Sequence, residues 1–223
     1  MFSVGNSVDP ALLLQISSDL EKHPLEINLD RKNSGIGRSQ CFGLVRQRNG
    51  TYTGSRQNYK RPFLYQLLIA LGNKILPPDF SYTSIQVNMN YPSLPHYDKG
   101  NKGISAIIGF GDYSGGDLKI EETSVSIKNR LVFFDGSKYL HQTLPFEGTR
   151  YSLVFFTVNK TFESVPVFSF SFFKDKLVLE ESMGNVVKLY DKNGNVLTSS
   201  DNTYTPRIRR TPTLRPCIES QSQ

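Results

Sequence analysis

The sequence predicts a mainly β domain with flanking helices, on three observations. From Tyr82 the apolar period switches to two: Ile85, Val87 and Met89 alternate with Ser84, Gln86, Asn88 and Asn90. Such alternation turns one side of an extended chain toward a core. Short apolar runs then recur at 104–110, 131–134 and 150–158, with Gly, Asn and Asp between them, as strands joined by turns require. Helical periodicity is confined to two segments that both precede Leu76.

The chain has 223 residues, enough for one domain with a real interior. That domain is expected to span 1–198, with its core at about 82–158. The tail 199–223 is basic and dominated by Ser, Thr, Pro, Arg and Gln, a composition expected to be disordered. Burial falls largely to aromatics, 15 Phe and 11 Tyr with no Trp. No apolar run is long enough to span a bilayer, so no membrane partner is expected. The N-terminus lacks a charged n-region and a cleavage site, so secretion is not expected. Two cysteines, Cys41 and Cys217, imply no disulfide framework and suit a reducing compartment.

Asp9-Pro10 before Ala-Leu-Leu-Leu-Gln-Ile reads as an N-cap with Pro at N1. Leu12, Leu13, Ile16 and Leu20 fall near one face of that helix. His23 closes it and is read as an exposed terminal His. Cys41–Arg46 reads as a strand and Arg48-Asn-Gly-Thr51 as a hairpin turn. Thr51 to Lys60 has no apolar period and is expected to be a substrate loop, with Tyr52 and Tyr59 available for base stacking or for packing. A second helix is expected over Pro62–Gly72, capped by Gly72 or Asn73 and closed off by Pro77-Pro78.

Beyond the strand at Ile85, Lys99–Gly103 reads as a loop. The glycines between Gly109 and Gly116 read as a sharp turn, because no Lys-Ser/Thr helix follows to make a phosphate cradle. Val125–Lys128 and Leu131–Phe134 are expected to pair through a turn at Asn129-Arg130. Glu121 and Glu122 point to opposite faces and read as a solvated hairpin. Val165–Phe173 is expected to be a covering strand, and 191–195 the turn of a last hairpin.

The chemistry gathers in one stretch. His96 and Asp98 sit at i and i+2, His141 follows 43 residues after Asp98, Arg150 nine after that, and Ser152 two further. On a strand, i and i+2 share a face. Two His and one carboxylate cap one face of a ferrous ion and leave the other open. Arg150 offers a planar fork for a carboxylate, and Ser152 a further donor. Two of the chain's three His fall in this pattern.

H-x-D, a distal His, then R-x-S resembles the Fe(II)/2-oxoglutarate dioxygenases. Asn88-Met-Asn-Tyr91, His96-Tyr-Asp-Lys-Gly-Asn101, Gly109–Leu118 and Pro145–Ser152 together look like the TET/JBP branch, which oxidises the methyl group of 5-methylcytosine or thymine in nucleic acid. Short spacing from His to R-x-S also occurs in prolyl hydroxylase-like members. The resemblance implies a double-stranded β-helix, a jelly-roll or cupin-like core. It implies Fe(II) on His96, Asp98 and His141, with O2 as oxidant. It also implies 2-oxoglutarate held by Arg150 and Ser152, and release of succinate and CO2. By the same resemblance Asn88 or Asn90 reaches the co-substrate; the competing reading is a polar outer face. Asn101 becomes a candidate substrate contact.

Charge fits a polyanionic partner. Net charge is +6, and no acidic residue lies between Asp30 and Asp79. That interval holds Arg31, Lys32, Arg38, Arg46, Arg48, Arg56, Lys60, Arg61 and Lys74, and the tail adds Arg207, Arg209, Arg210 and Arg215. A nucleic acid is therefore a candidate partner; the resemblance implies DNA ahead of RNA, in a nucleus or another DNA-containing compartment. The alternatives are hydroxylation of a protein side chain or small molecule, N-demethylation of nucleic acid, and a catalytically silent binding module. A cupin-like protein without 2-oxoglutarate would leave Arg150 and Ser152 unexplained.

Overall fold

A computed structural model describes residues 2–28, 37–158, 167–173, 176–183, 186–190 and 196–197. The chain begins with strand β1 (Phe2–Ser7). The Asp9 side chain then accepts a hydrogen bond from Ala11 N at 2.9 Å. With Pro10 behind it, this opens a 3-10 turn, Pro10–Leu12, which leads into α1 (Leu14–Lys22). Leu13, Ile16 and Leu20 are buried, the face predicted from their spacing. His23 caps the C-terminus and is exposed.

Short strand β2 (Ile27–Asn28) pairs β3 (Gly37–Arg46), which pairs β4 (Tyr52–Gly54). The β3–β4 hairpin turns where predicted: Gln47 N donates to Thr51 O at 2.7 Å, and Gly50 adopts φ +84°, open to glycine without strain. The expected substrate loop after it is instead built structure: β4, then α2 (Arg56–Lys60). The Ser55 hydroxyl caps α2 by accepting from Gln57 N at 3.1 Å. Asn58, 0% exposed, holds the backbone of Gly43 at both ends, at 2.8 Å from its N and 3.1 Å from its O. One buried amide thus replaces the apolar period that would have announced a helix.

Helix α3 (Pro62–Ile75) has Pro at N1 but runs through Gly72 and Asn73. It stops where Pro77 forces Leu76 into extended backbone, ψ 149°. Strands β5 (Ser84–Met89), β6 (Ser105–Phe110), β7 (Tyr113–Gly115) and β8 (Leu118–Ile120) follow. After them come β9 (Thr123–Val125), β10 (Arg130–Phe134), β11 (His141–Thr143), β12 (Phe146–Gly148) and β13 (Tyr151–Phe156). The last four are β14 (Val167–Phe173), β15 (Lys176–Met183), β16 (Val186–Tyr190) and β17 (Val196–Leu197).

The chain divides into two compact units. One comprises residues 1–41 and 84–160. Its main sheet is antiparallel along the path β1-β10-β6-β13-β5-β3-β2, and smaller sheets β11-β8-β9 and β12-β7 complete it. Ile107, Val132 and Phe134 of the main sheet share one buried cluster with Leu118 and Ile120 of β8, so two layers close on one apolar interior. The predicted alternation on β5 becomes burial on both faces, since Ser84 and Asn88 are buried beside Ile85 and Val87. The hairpin expected between 125–128 and 131–134 does not form. β9 pairs β8, whereas β10 pairs β1 and β6. Neighbours in sequence lost to a long-range partner, because Val132 opposite Ile107 fills the core.

The other unit comprises residues 42–83 and 161–223. In it Phe42 stacks on Tyr65 of α3, ring centroids 5.8 Å apart. Tyr59 packs against Tyr190 at 4.5 Å, which favours packing over base stacking for this ring. β14 to β17 form a four-stranded antiparallel sheet; β14 is a strand where one was expected, but three further strands follow it, and it pairs β15. Arg31, Lys32, the turn 191–195 and the tail 199–223, with Cys217, lie outside the described residues. Among the described residues no helix is long and apolar enough to cross a membrane.

Candidate metal and co-substrate site

His96 and His141 face each other across an isolated antiparallel bridge. His96 N donates to His141 O at 3.0 Å, and His141 N to His96 O at 3.1 Å. Their rings are thereby brought to 4.3 Å between centroids. Each ring is also oriented from behind. Nδ1 of His96 lies 2.7 Å from Leu94 O, and Nδ1 of His141 lies 3.0 Å from Tyr139 O. A carbonyl only accepts, so both Nδ1 atoms carry the proton in these bonds. In the neutral rings that leaves both Nε2 lone pairs aimed at Asp98, at 3.6 Å from Oδ1 and 3.5 Å from Oδ2.

The three side chains offer ligand atoms all within 4.8 Å of one another. Burial works against the Asp98 charge, but His141 and His96, when protonated, donate to it and draw its pKa below the usual carboxylate range; with both rings neutral that support is gone. An ionised oxygen and two nitrogen lone pairs converging on one point repel unless a cation sits between them. The donor set therefore fits a divalent metal.

Asp98 is held from two further sides. Its N donates to Gly136 O at 2.8 Å, and Asn101 Nδ2 donates to its Oδ2 at 3.3 Å. Asn101, expected as a substrate contact, is thus already engaged with a ligand. A Cβ on Gly136 would lie 3.1 Å from Asp98 Oδ2 and 3.2 Å from His141 Cε1. Only glycine leaves that space free.

Arg150 lies just ahead of β13 and is 2% exposed. Its Nε donates to Gly116 O at 3.2 Å, while Nη2 has no hydrogen-bond partner. Its guanidinium lies over the rings of Tyr113 at 5.6 Å and Phe146 at 5.5 Å. Gly116, at φ +70°, leaves room for it, since a Cβ there would lie 2.8 Å from Nε. Burial lowers the Arg150 pKa from its ordinary value. Ser152 is buried and accepts from Asn88 Nδ2 at 3.2 Å; Asn88 Oδ1 is left without a partner.

Sequence reasoning missed Tyr113. Its hydroxyl is buried beside Arg150 without a hydrogen-bond partner. Burial raises its pKa, and the nearby Arg150 damps the rise. A guanidinium nitrogen, a phenol and an amide oxygen, all buried and unsatisfied, are costly unless something polar joins them. The sequence signal was slight: one aromatic inside a glycine-rich turn.

One cavity runs from the metal ligands to Asn88 and Ser152; Arg150 and Tyr113 are not among the residues that line it. His96, Asp98, His141 and Asn101 line one part, and Asn88 and Ser152 another. Between and around them stand the amide of Gln86, the hydroxyls of Ser93 and Thr143, and the rings of Tyr91, Phe134 and Phe156. Asp98 is the one formally charged residue among those lining it.

The remaining candidates are placed elsewhere. Asn90, at φ +48°, turns away from the cavity, and its Oδ1 accepts from Arg150 N at 2.8 Å. It positions the arginine backbone. Glu121 Oε1 accepts from Leu140 N at 2.8 Å, and Glu122 pairs with Lys119 at 3.3 Å, so the two act separately as predicted. Asp112 and Arg130 are exposed, and Asp117 is absent from the metal cluster.

No protein-family profile and no curated protein matches the chain. Among solved structures it resembles NgTET1 in complex with 5mC DNA, at 17% identity and TM-score 0.51, over 71% of this chain and 72% of that one. An oxidoreductase of the 2OG-Fe(II) oxygenase family from Burkholderia pseudomallei matches at 14% identity and TM-score 0.49, over 70% and 82%. A prolyl-4-hydroxylase from Pseudomonas putida matches at 17% and 0.44, over 71% and 93%. At such identities the likeness to NgTET1 establishes the fold: a jelly-roll, double-stranded β-helix core.

Proposed function

We propose that this chain is an Fe(II)/2-oxoglutarate-dependent dioxygenase that hydroxylates the methyl group of 5-methylcytosine or thymine in DNA. The observation that carries the dioxygenase reading is a converging His-Asp-His donor set, in a cavity that reaches Asn88 and Ser152, on a chain that also buries unsatisfied polar atoms of Arg150, Tyr113 and Asn88. His96, Asp98 and His141 would hold iron. Arg150, Tyr113 and Ser152 would take the far carboxylate of 2-oxoglutarate, which supplies the partner their buried polar atoms lack. Bound iron with 2-oxoglutarate and O2 would supply the oxidising chemistry that converts C–H to C–OH, with release of succinate and CO2.

The chain's own task is placement. The carbonyls of Leu94 and Tyr139 fix both imidazole tautomers, so the nitrogen lone pairs stay on the metal side. Asn101 and Gly136 hold Asp98 in register. The buried Arg150 guanidinium would hold the co-substrate's far carboxylate away from water and so orient it for the metal. The substrate reading is supported by the rest of the cavity. Aromatic walls with amides and hydroxyls, and no charge beyond the ligand Asp98, suit an uncharged planar heterocycle better than a charged side chain. A stacked base cannot reach such a site, so the target nucleotide must be flipped or unpaired.

The test is nucleoside mass spectrometry after incubating the protein with Fe(II), ascorbate, 2-oxoglutarate and DNA holding 5-methylcytosine and thymine. A hydroxymethyl base, absent with His96→Ala/Asp98→Ala, is the expected result. Succinate without an oxidised base would keep the dioxygenase and move the substrate to RNA, protein or a small molecule. Neither product, with metal bound, would sink the enzyme reading.

A further inference from the structure

The segment from Leu94 to Ile104 carries two of the proposed metal ligands and, among the described residues, three exposed large hydrophobics close together in sequence. Among the described residues eight large hydrophobics are exposed, and three fall in these eleven positions: Leu94 at 52%, Tyr97 at 44% and Ile104 at 48%. Lys99 and Lys102 lie between them, both exposed, and the only acid in the segment is the ligand Asp98. These exposed groups lie in the same segment as His96, Asp98 and Asn101, which line the cavity, and exposed apolar groups beside a cavity are a candidate contact surface.

This surface is preformed. Asn101 N donates to Asp98 O at 2.9 Å, Lys102 N donates to Thr157 O at 2.8 Å, and Asn101 bridges Val158 just past β13. The loop is therefore tied down at its base. Its outer side stands clear: a Cβ at Gly100 or Gly103 would meet nothing within 4 Å, so a ligand can approach the backbone closely.

We propose that the 94–104 rim docks an unpaired nucleic-acid strand, with Tyr97 and its aliphatic neighbours on bases and Lys99 and Lys102 on phosphates. This rests on the nucleic-acid reading above and adds to it the surface that would deliver the base. Charge complementarity selects the occupant. Lys99 and Lys102 stand between Tyr97 and Ile104 and the segment has no acid besides the ligand Asp98, which matches a strand that offers both phosphates and ring faces. A duplex hides its ring faces, so the surface favours single strands.

The test is fluorescence anisotropy of a single-stranded, 5-methylcytosine-containing oligonucleotide on the full chain at several salt concentrations, with nucleoside mass spectrometry on the same preparations. Tyr97→Ala is expected to weaken binding about tenfold, the scale of one lost base stack. Lys99→Gln with Lys102→Gln is expected to reduce the salt slope by about 1.4, at roughly 0.7 per phosphate on a single strand. Phe63→Ser, which removes an equally exposed ring from α3 (55%), serves as the control and leaves both unchanged. Rim variants that bind like the wild type, while the wild type still makes a hydroxymethyl base, overturn the rim and spare the reaction. Weakened rim variants without any oxidised base keep the rim and sink the methyl-oxidation reading. A wild type that neither binds nor oxidises overturns both. Should Tyr97→Ala fail to fold, the lysine pair alone decides.

Discussion

Tyr113 shows how one atom separates stability from function. Its hydroxyl is buried, makes no close hydrogen bond and has only the neighbouring Arg150 guanidinium to interact with, so it adds little to the stability of the fold. Removing it should not destabilise the fold. In the proposed complex the same hydroxyl donates to a carboxylate, and hydrogen bonds to charged groups contribute about 1.5–3 kcal/mol. Tyr113→Phe should therefore leave the apo melting temperature equal or higher while raising the KM for 2-oxoglutarate at least about tenfold. Calorimetric melting beside steady-state kinetics reads both signs, and a lowered melting temperature with unchanged KM would assign the hydroxyl a structural role. Arg150 is the complementary case. Its pattern with Ser152 was legible two residues apart, but its burial, its free Nη2 and the glycine at 116 that makes room for it were not.

At the scale of elements, the turn after β10 ties the fold to the ligands. The Asp135 carboxylate accepts from Ser137 N at 3.1 Å and from Ser137 Oγ at 2.6 Å, and meets Lys138 Nζ at 3.1 Å. Within this turn Gly136 O receives Asp98 N, and Tyr139 O orients His141. Burial of Asp135 raises its pKa, but the Ser137 and Lys138 interactions outweigh that and the net shift is downward. A carboxyl with a depressed folded-state pKa contributes stability that is fully present above its unfolded value, about 3.9, and is lost as pH falls through the folded one. Asp135→Asn should therefore be less stable than wild type at neutral pH and show a shallower loss of stability below about pH 4. Urea unfolding at pH 7 and at pH 3 reads this, and parallel curves for the two proteins would refute it. The same scale explains two misread elements. The helix at 56–60 is held by the buried Asn58 amide rather than an apolar stripe. The 125–134 segment was paired with its neighbour, although β10 found β6 across the sheet, and strand pairing is a non-local choice that local pattern leaves open.

For the whole molecule, the converging lone pairs of His96, Asp98 and His141 make metal binding a stability term. A ligand that binds only the folded state adds RT ln(1 + [L]/Kd), about 2.7 kcal/mol at a hundredfold excess over Kd. Co(II), used as an air-stable probe, should raise the melting temperature in proportion to the logarithm of its concentration. It should do nothing to His96→Ala/Asp98→Ala, and an equal rise in that variant would place the binding elsewhere.

The sequence by itself determined the β-rich class, the strand through 85–89, the helix faces and the order of the donor set, because periodicity and i, i+2 geometry are local. His96, Asp98, His141, Arg150 and Ser152 could be read from spacing and residue type for the same reason. Tertiary structure alone decided that Asn88 sits on Ser152 while Asn90 braces Arg150, that Asn101 and Gly136 flank Asp98, and that Tyr113 joins Arg150. Each of those contacts joins side chains or backbone brought together by strand register or turn geometry, where burial leaves a polar atom little freedom and one residue's slip would turn every side chain to the opposite face.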